Sequence, residues 1–233
     1  MTRFRKTELI RSAIGLGVVA ALSWGSLANA HGDVAPQPVN TDALPEVGEE
    51  WLTENPYRAE KAGDEVWWQA VVIGDSGYNQ NCARCHGLGV VSGGLAPDLR
   101  FPEAEEYGDE WFMERFIHGY TQDGTTKMSA FGEILGQKAG WAIRTYIETR
   151  PEDGALDAHA ARLGAIRDEL AAGGGGEAPV KAEVMEIAAQ AVTASGAPKA
   201  DSAALRAALA LDGSAESKKH ASEMLTIGLS AAH

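Results

Sequence analysis

Residues 79–89 read NQNCARCHGLG, and this stretch holds both cysteines of the chain, Cys82 and Cys85, with His86 directly after the second. Two thiols three apart followed by a histidine fit C-x-x-C-H, the attachment sequence for a c-type haem. The chemistry needs each element. The thiols add across the two vinyl groups of one porphyrin edge, and the adjacent histidine is then held against the iron as its proximal ligand. Three rival readings are weaker. A zinc site needs a further Cys or His pair, and none occurs at a suitable spacing. A thioredoxin-like pair belongs at the start of a helix after a strand, a pattern missing here. A disulfide across two intervening residues would be strained and would leave His86 unexplained.

A haem iron with one histidine has a sixth position to fill. Met128, Met113 and His118 are the candidates, with an open site as the remaining option. Met128 is the expected ligand, because it lies in the loop Thr126-Lys127-Met128-Ser129-Ala130-Phe131 between two predicted helices. A thioether presented from a loop favours ferrous iron and raises the potential. Met113 lies mid-helix beside Phe112 and Phe116 and reads as a core filler. His118, next to Gly119, reads as a solvated charge at a helix end. Pro97 follows the motif by eleven residues. Its carbonyl is a candidate acceptor for the Nδ1 proton of His86, the plainer reading being an ordinary loop proline. Arg100 and Trp111 are candidate donors to a haem propionate.

The N-terminus sets the expected compartment. Arg3, Arg5, Lys6 and Arg11 precede the apolar run AIGLGVVAAL and an Ala28-Asn29-Ala30 cleavage site, so residues 1–30 read as a cleaved signal peptide and the mature chain begins at His31. No later stretch is long and apolar enough for a membrane span. A soluble periplasmic protein without stable membrane insertion is expected. The leader carries four of the 20 basic residues and one of the 33 acidic ones, leaving 16 against 32 and a net charge of −16. Such a surface repels nucleic acid and suits a basic patch on another protein, with association weakening as salt rises. Glu103, Glu105, Glu106, Asp109 and Glu110 form the densest acidic run after the motif and are candidate docking residues.

Aromatic residues divide the rest. Beyond the leader every Trp, Tyr and Phe lies between Trp51 and Tyr146, whereas 24 of the 83 residues from Pro151 to His233 are alanine. Residues 31–63 read as an extended arm broken by prolines, with Trp51, Leu52 and Tyr57 packing back on the core. Residues 64–150 read as an all-α domain with long loops. Its helices are predicted near 64–74, 109–118 and 132–149, with Asp64 and Asp109 as N-caps and Gly119 ending the second. In the tail 151–233, two apolar stripes, Leu156/Leu163/Ile166/Leu170 and Val180/Val184/Ile187/Ala191, flank four glycines. Weaker helical patterns follow at 201–211 and 217–229. Packed Ala-rich helices and a partly disordered extension both remain open.

The segments HGDVAPQPVNTDALP, EWLTENPYR, GYNQNCARCHGL, APDLR and WAIRTYIETR together resemble the periplasmic cytochromes c of the PedF type, over about residues 31–150. The resemblance implies a class I cytochrome c fold, with N- and C-terminal helices crossing beside one covalently attached haem c. It implies Cys82 and Cys85 as thioether sites and His86 and Met128 as axial ligands. Members of this group accept electrons from pyrroloquinoline-quinone (PQQ) alcohol dehydrogenases. The expected function is therefore a one-electron shuttle from such a dehydrogenase to a downstream cytochrome or terminal oxidase, not an enzyme. The alternatives are a general-purpose periplasmic cytochrome c and a haem enzyme or gas-binding protein with an open sixth site. Two departures stand out. Ser129 follows Met128 where many relatives have proline, and residues 151–233 have no recognised counterpart.

Overall fold

The structure is a computed structural model that describes residues 35–175 and 178–230. The expected signal peptide, its cleavage site and His31 lie outside the described residues. From Ala59 the order is a short helix α1 (Ala59–Ala62), α2 (Asp64–Asn81), a single turn α3 (Ala83–His86), a 3₁₀ turn at Leu88–Val90, and α4 (Glu106–His118). A hairpin of β1 (Tyr120–Gln122) and β2 (Thr125–Met128) leads into α5 (Gly132–Glu148). The extension then adds α6 (Ala160–Ala171), α7 (Ala178–Ala188), α8 (Ala203–Ala210) and α9 (Ala215–Ser230).

Helix α2 runs seven residues past the predicted end at Gly74. Its second half, GDSGYNQN, has weak intrinsic helix propensity, and packing carries it instead. Gly74 lies so close to α5 that a Cβ would stand 1.9 Å from the Ala142 carbonyl oxygen, and Gly77 abuts Ile143. This crossing of the first long helix with the last is the centre of the aromatic core, where Trp67, Val71, Tyr78, Phe112, Phe116, Trp141, Ile143 and Tyr146 are buried. The fold is the all-α class I cytochrome c fold.

Residues 36–58 contain neither helix nor strand. They pack on the core through buried Leu44 and Tyr57, while Trp51 and Leu52 stay 38% exposed. The Tyr57 hydroxyl donates to the Pro45 carbonyl at 3.1 Å.

Three local readings are corrected. Asp64 is not an N-cap: Gly63 occupies that position and no side chain caps the helix. Asp109 is not one either, because α4 starts a turn earlier, at Glu106. Asp109 is instead fully buried, with its Oδ1 accepting from Arg58 Nη2 at 2.7 Å and Arg144 Nε at 2.9 Å, and its Oδ2 from Asn55 N at 2.8 Å. It therefore cannot serve in a docking rim, whereas Glu103, Glu105, Glu106 and Glu110 are exposed. Glu148 completes the network by accepting from Arg58 Nε at 3.1 Å and Nη2 at 2.7 Å. Two carboxylates meet two guanidinium groups, which is what permits such burial. The third correction concerns the hairpin, read as loop. Asp123 and Gly124 take φ of 51° and 74°, the two positive values that a tight hairpin turn requires.

The described part of the extension is packed helix. Leu163, Ile166, Leu170, Val184, Ile187, Leu211 and Leu225 form a second core. Ala204, Ala207 and Ala208 are fully buried in it, so the small side chains of α8 let its neighbours approach closely. Leu205 packs against both cores. The extension is clasped to the cytochrome part through Asp201, itself fully buried. Its Oδ2 accepts from Arg150 Nη1 at 2.8 Å and Arg206 Nη2 at 2.6 Å, and its N–H donates to the Thr149 carbonyl at 2.8 Å. Arg206 also reaches Asp75 at 2.8 Å. Ser195 Oγ caps the Glu148 carbonyl at 2.5 Å. No described helix is long and apolar enough to cross a membrane.

Candidate functional site

Helix α2 delivers the motif. It ends at Asn81, Cys82 follows as its C-cap, and the chain turns through α3, with the N–H groups of Cys85 and His86 donating to the Cys82 carbonyl at 3.1 and 3.0 Å. The turn puts two unbridged thiols and the imidazole within one helical turn of each other. Burial, reinforced by the neighbouring Cys85, pushes the Cys82 thiol up to about 12. A redox-active Cys-x-x-Cys pair needs the opposite, a thiol whose pKa is depressed. Among the described residues no group of three or more His, Cys, Asp or Glu side chains is placed to hold a metal ion.

His86 is buried, and its Nδ1 lies 2.8 Å from the Pro97 carbonyl oxygen. A carbonyl only accepts, so Nδ1 carries the proton and Nε2 is left with a lone pair for a ligand bond. The surroundings hold this turn in place. The Tyr78 hydroxyl, on α2, donates to the Gly87 carbonyl at 2.7 Å. Asn81 ties the arm to the motif, taking the Gln37 N–H at 2.7 Å and donating to the Gln37 carbonyl at 3.1 Å. Sequence reading missed both residues. Their signal was position alone: Tyr78 is one turn before Cys82, and Asn81 immediately precedes it.

Met128 stands at the end of β2, half-buried, opposite Tyr120 in the hairpin register. Gly119 approaches the Met128 backbone so closely that a Cβ would lie 2.4 Å from its carbonyl oxygen. The strand end is thus pinned where α4 stops. Met113 is buried in the aromatic core and His118 is exposed at the end of α4. Arg100 does not present an open fork, because Asp98 and Asp153 bind its guanidinium. Trp111 is partly buried against the aromatic core.

The donor set fits a haem: two unbridged thiols flanking one helical turn, a histidine with its tautomer fixed, and a thioether on a separate element. Large apolar side chains are exposed in the segments that follow the motif, including Leu88, Val91, Leu95, Phe101 and Ile134.

A helical domain whose first long helix crosses its last and runs directly into C-x-x-C-H defines a c-type cytochrome. Residues 69–147 match the family model described as cytochrome c oxidase, cbb3-type, subunit III. The chain is 53% identical over 135 residues to the cytochrome c550 of Pseudomonas aeruginosa, covering 58% of this chain and 91% of that one. It is also 30% identical over 93 residues to the quinohemoprotein alcohol dehydrogenase ADH IIB of Pseudomonas putida, covering 40% of this chain but only 13% of that one. No solved structure gives a significant match. The chain belongs to the family of cytochrome c550. It is an electron-transfer protein rather than an enzyme, and the family implies covalently bound haem c.

Proposed function

We propose that this cytochrome carries single electrons in the periplasm from a PQQ-dependent alcohol dehydrogenase to a downstream cytochrome or terminal oxidase. The observation that carries this reading is the pair of similarities: one to a cytochrome c550 over most of that protein, the other to a short part of a quinohemoprotein alcohol dehydrogenase. The second supports kinship with electron acceptors in alcohol oxidation, in line with the PedF-type sequence segments.

One haem c would supply the one-electron Fe(III)/Fe(II) couple when bound. Cys82 and Cys85 would hold the macrocycle as thioethers, so that the cofactor could not dissociate. His86 would ligate through Nε2, its Nδ1–H bond to the Pro97 carbonyl orienting the ring and increasing its basicity. Met128 would ligate from the hairpin and raise the potential. His86 is held in a buried turn and Met128 at a strand end pinned against Gly119, so a haem bound between them would undergo little rearrangement with each electron. The exposed acids Glu103, Glu105, Glu106 and Glu110 favour a basic docking patch on the partner, through an interface small and weak enough for turnover.

The test mixes purified ferric protein with quinoprotein alcohol dehydrogenases and substrate, and follows haem reduction at increasing ionic strength. Fast reduction that slows with salt is expected. Failure with every such enzyme points to a general-purpose cytochrome c, and rates indifferent to salt remove the acidic docking surface.

A further inference from the structure

The loop that carries the Pro97 carbonyl is tied to the C-terminal extension. We propose that this tie makes the extension a positioning element of the redox centre, with Asp153 acting through Arg100 and Asp98 to fix the acceptor of the His86 Nδ1–H bond. The inference rests on the reading of His86 as the iron ligand.

The chain of contacts is continuous. The Pro97 carbonyl, 2.8 Å from His86 Nδ1, sits between two constrained neighbours. On one side the Ala96 carbonyl accepts from the Ser92 hydroxyl. On the other, Asp98 takes the Arg100 backbone N–H at 3.0 Å, Nε at 3.1 Å and Nη2 at 2.9 Å. Arg100 is 6% exposed. A guanidinium so buried is held only where anionic partners meet its donors. Asp98 satisfies one edge of the fork, and the remaining Nη1 donates to Asp153 Oδ1 at 2.6 Å. Asp98 therefore cannot rotate without unseating Arg100, and the peptide joining it to Pro97 is fixed in turn.

Asp153 belongs to the extension, and the extension places it. Pro151 pairs with Thr193, and the Glu152 N–H donates to the Val192 carbonyl at 3.0 Å. One of the two carboxylates that hold Arg100, that of Asp153, is thus set by the loop between α7 and α8, far along the chain from the motif. Sequence alone offered Arg100 as a propionate donor. Its observed partners assign it instead to the acceptor loop of the axial histidine.

The sign of one substitution separates positioning from charge. A firmer Nδ1–H···O bond gives the imidazole more anionic character and favours the ferric state. Loosening that bond raises the reduction potential, whereas removing a nearby positive charge lowers it. Arg100→Gln does both, so the direction of the shift reports which dominates.

The experiment uses the full-length haem-loaded protein, with redox titration by absorbance and NMR measurement of solvent exchange at His86 Nδ1–H in the ferrous state. Expected for Arg100→Gln is about a threefold rise in the reduced-to-oxidised ratio at fixed poise, ~30 mV at 59 mV per tenfold for one electron. Nδ1–H exchange speeds up in Arg100→Gln and in Asp153→Asn, and Arg100→Lys restores part of the wild-type behaviour. A lowered potential in Arg100→Gln overturns the proposal, since the charge of Arg100 then outweighs any positioning. Wild-type exchange in Asp153→Asn overturns the role of the extension. Asp153 is 86% exposed at its side chain, so this variant keeps the test open if Arg100→Gln fails to fold. If the wild-type His86 ring signals lack the shifts of an iron-bound imidazole, the ligand reading fails and the proposal falls with it.

Discussion

Gly74 on α2 faces the carbonyl oxygen of Ala142 on α5, leaving no room for a side chain between the two helices. Gly74→Ala therefore has to push the helices apart through the middle of the aromatic core. Overpacking of this kind costs about 3 kcal/mol. Chemical denaturation of the haem-loaded variant should show it. A wild-type midpoint would mean that the crossing is not as tight as described.

The buried network at Asp109 makes a different prediction. Asp109→Asn leaves Arg58 and Arg144 sharing one remaining carboxylate, and removing one partner from a buried pair costs about 3–5 kcal/mol. It should not alter how reduction by the partner depends on salt, because the residue reaches no surface. Replacing exposed Glu106 and Glu110 by Gln should do the reverse: unchanged unfolding and a flatter salt dependence. Stopped-flow reduction at several ionic strengths, with thermal unfolding alongside, distinguishes the two.

Met128→Ala should lower the reduction potential and allow the ferrous protein to bind carbon monoxide, while the wild-type protein should not bind it. Optical titration and a carbon monoxide difference spectrum check this. If the variant keeps the wild-type spectrum, Met128 is not the sixth ligand.

Much of the site was legible in the sequence because its chemistry is local. Cys82, Cys85 and His86 are consecutive enough for spacing alone to define them, and Pro97 was named through an acceptor geometry that the structure displays. The helices of the extension were visible as apolar stripes at Leu163/Ile166/Leu170 and Val184/Ile187. What sequence could not supply was long-range pairing. Asp109 looks like any acid at a helix entrance until Arg58 and Arg144 arrive from 51 and 35 residues away. The second half of α2 looks like a turn until α5 packs on its glycines. Asp123-Gly124 was readable as a hairpin turn, but the flanking strands are too short to show alternation.

The clasp of the extension should fail at Asp201. Asp201→Ala leaves Arg150 with the residue-201 backbone carbonyl but no carboxylate, and Arg206 with only Asp75, at an expected cost of about 3 kcal/mol. Hydrogen exchange should accelerate across α6–α9 while α2 and α5 keep their protection. Uniform acceleration along the chain would show instead that both cores open together.

The start of α9 carries a pH-sensitive turn. Asp212 accepts from the Ser214 N–H at 2.8 Å, and bonds from Ser214 and Ser217 hold its carboxyl down at about 2. A carboxyl depressed in the folded state stabilises it above the ordinary aspartate range, and that contribution is lost as pH falls through about 2. Amide exchange at residues 214–218 should rise over that interval, and Asp212→Asn should remove the rise.

The partners that Asp201 and Ser195 engage, at Asp75, Glu148, Thr149 and Arg150 through direct bonds or the shared Arg206, all precede the extension in the chain. Synthesis runs from the N-terminus, so the motif, its acceptor loop and both crossing helices exist before residue 201 is made. The clasp can therefore close only after every residue it grips in the cytochrome part has been made.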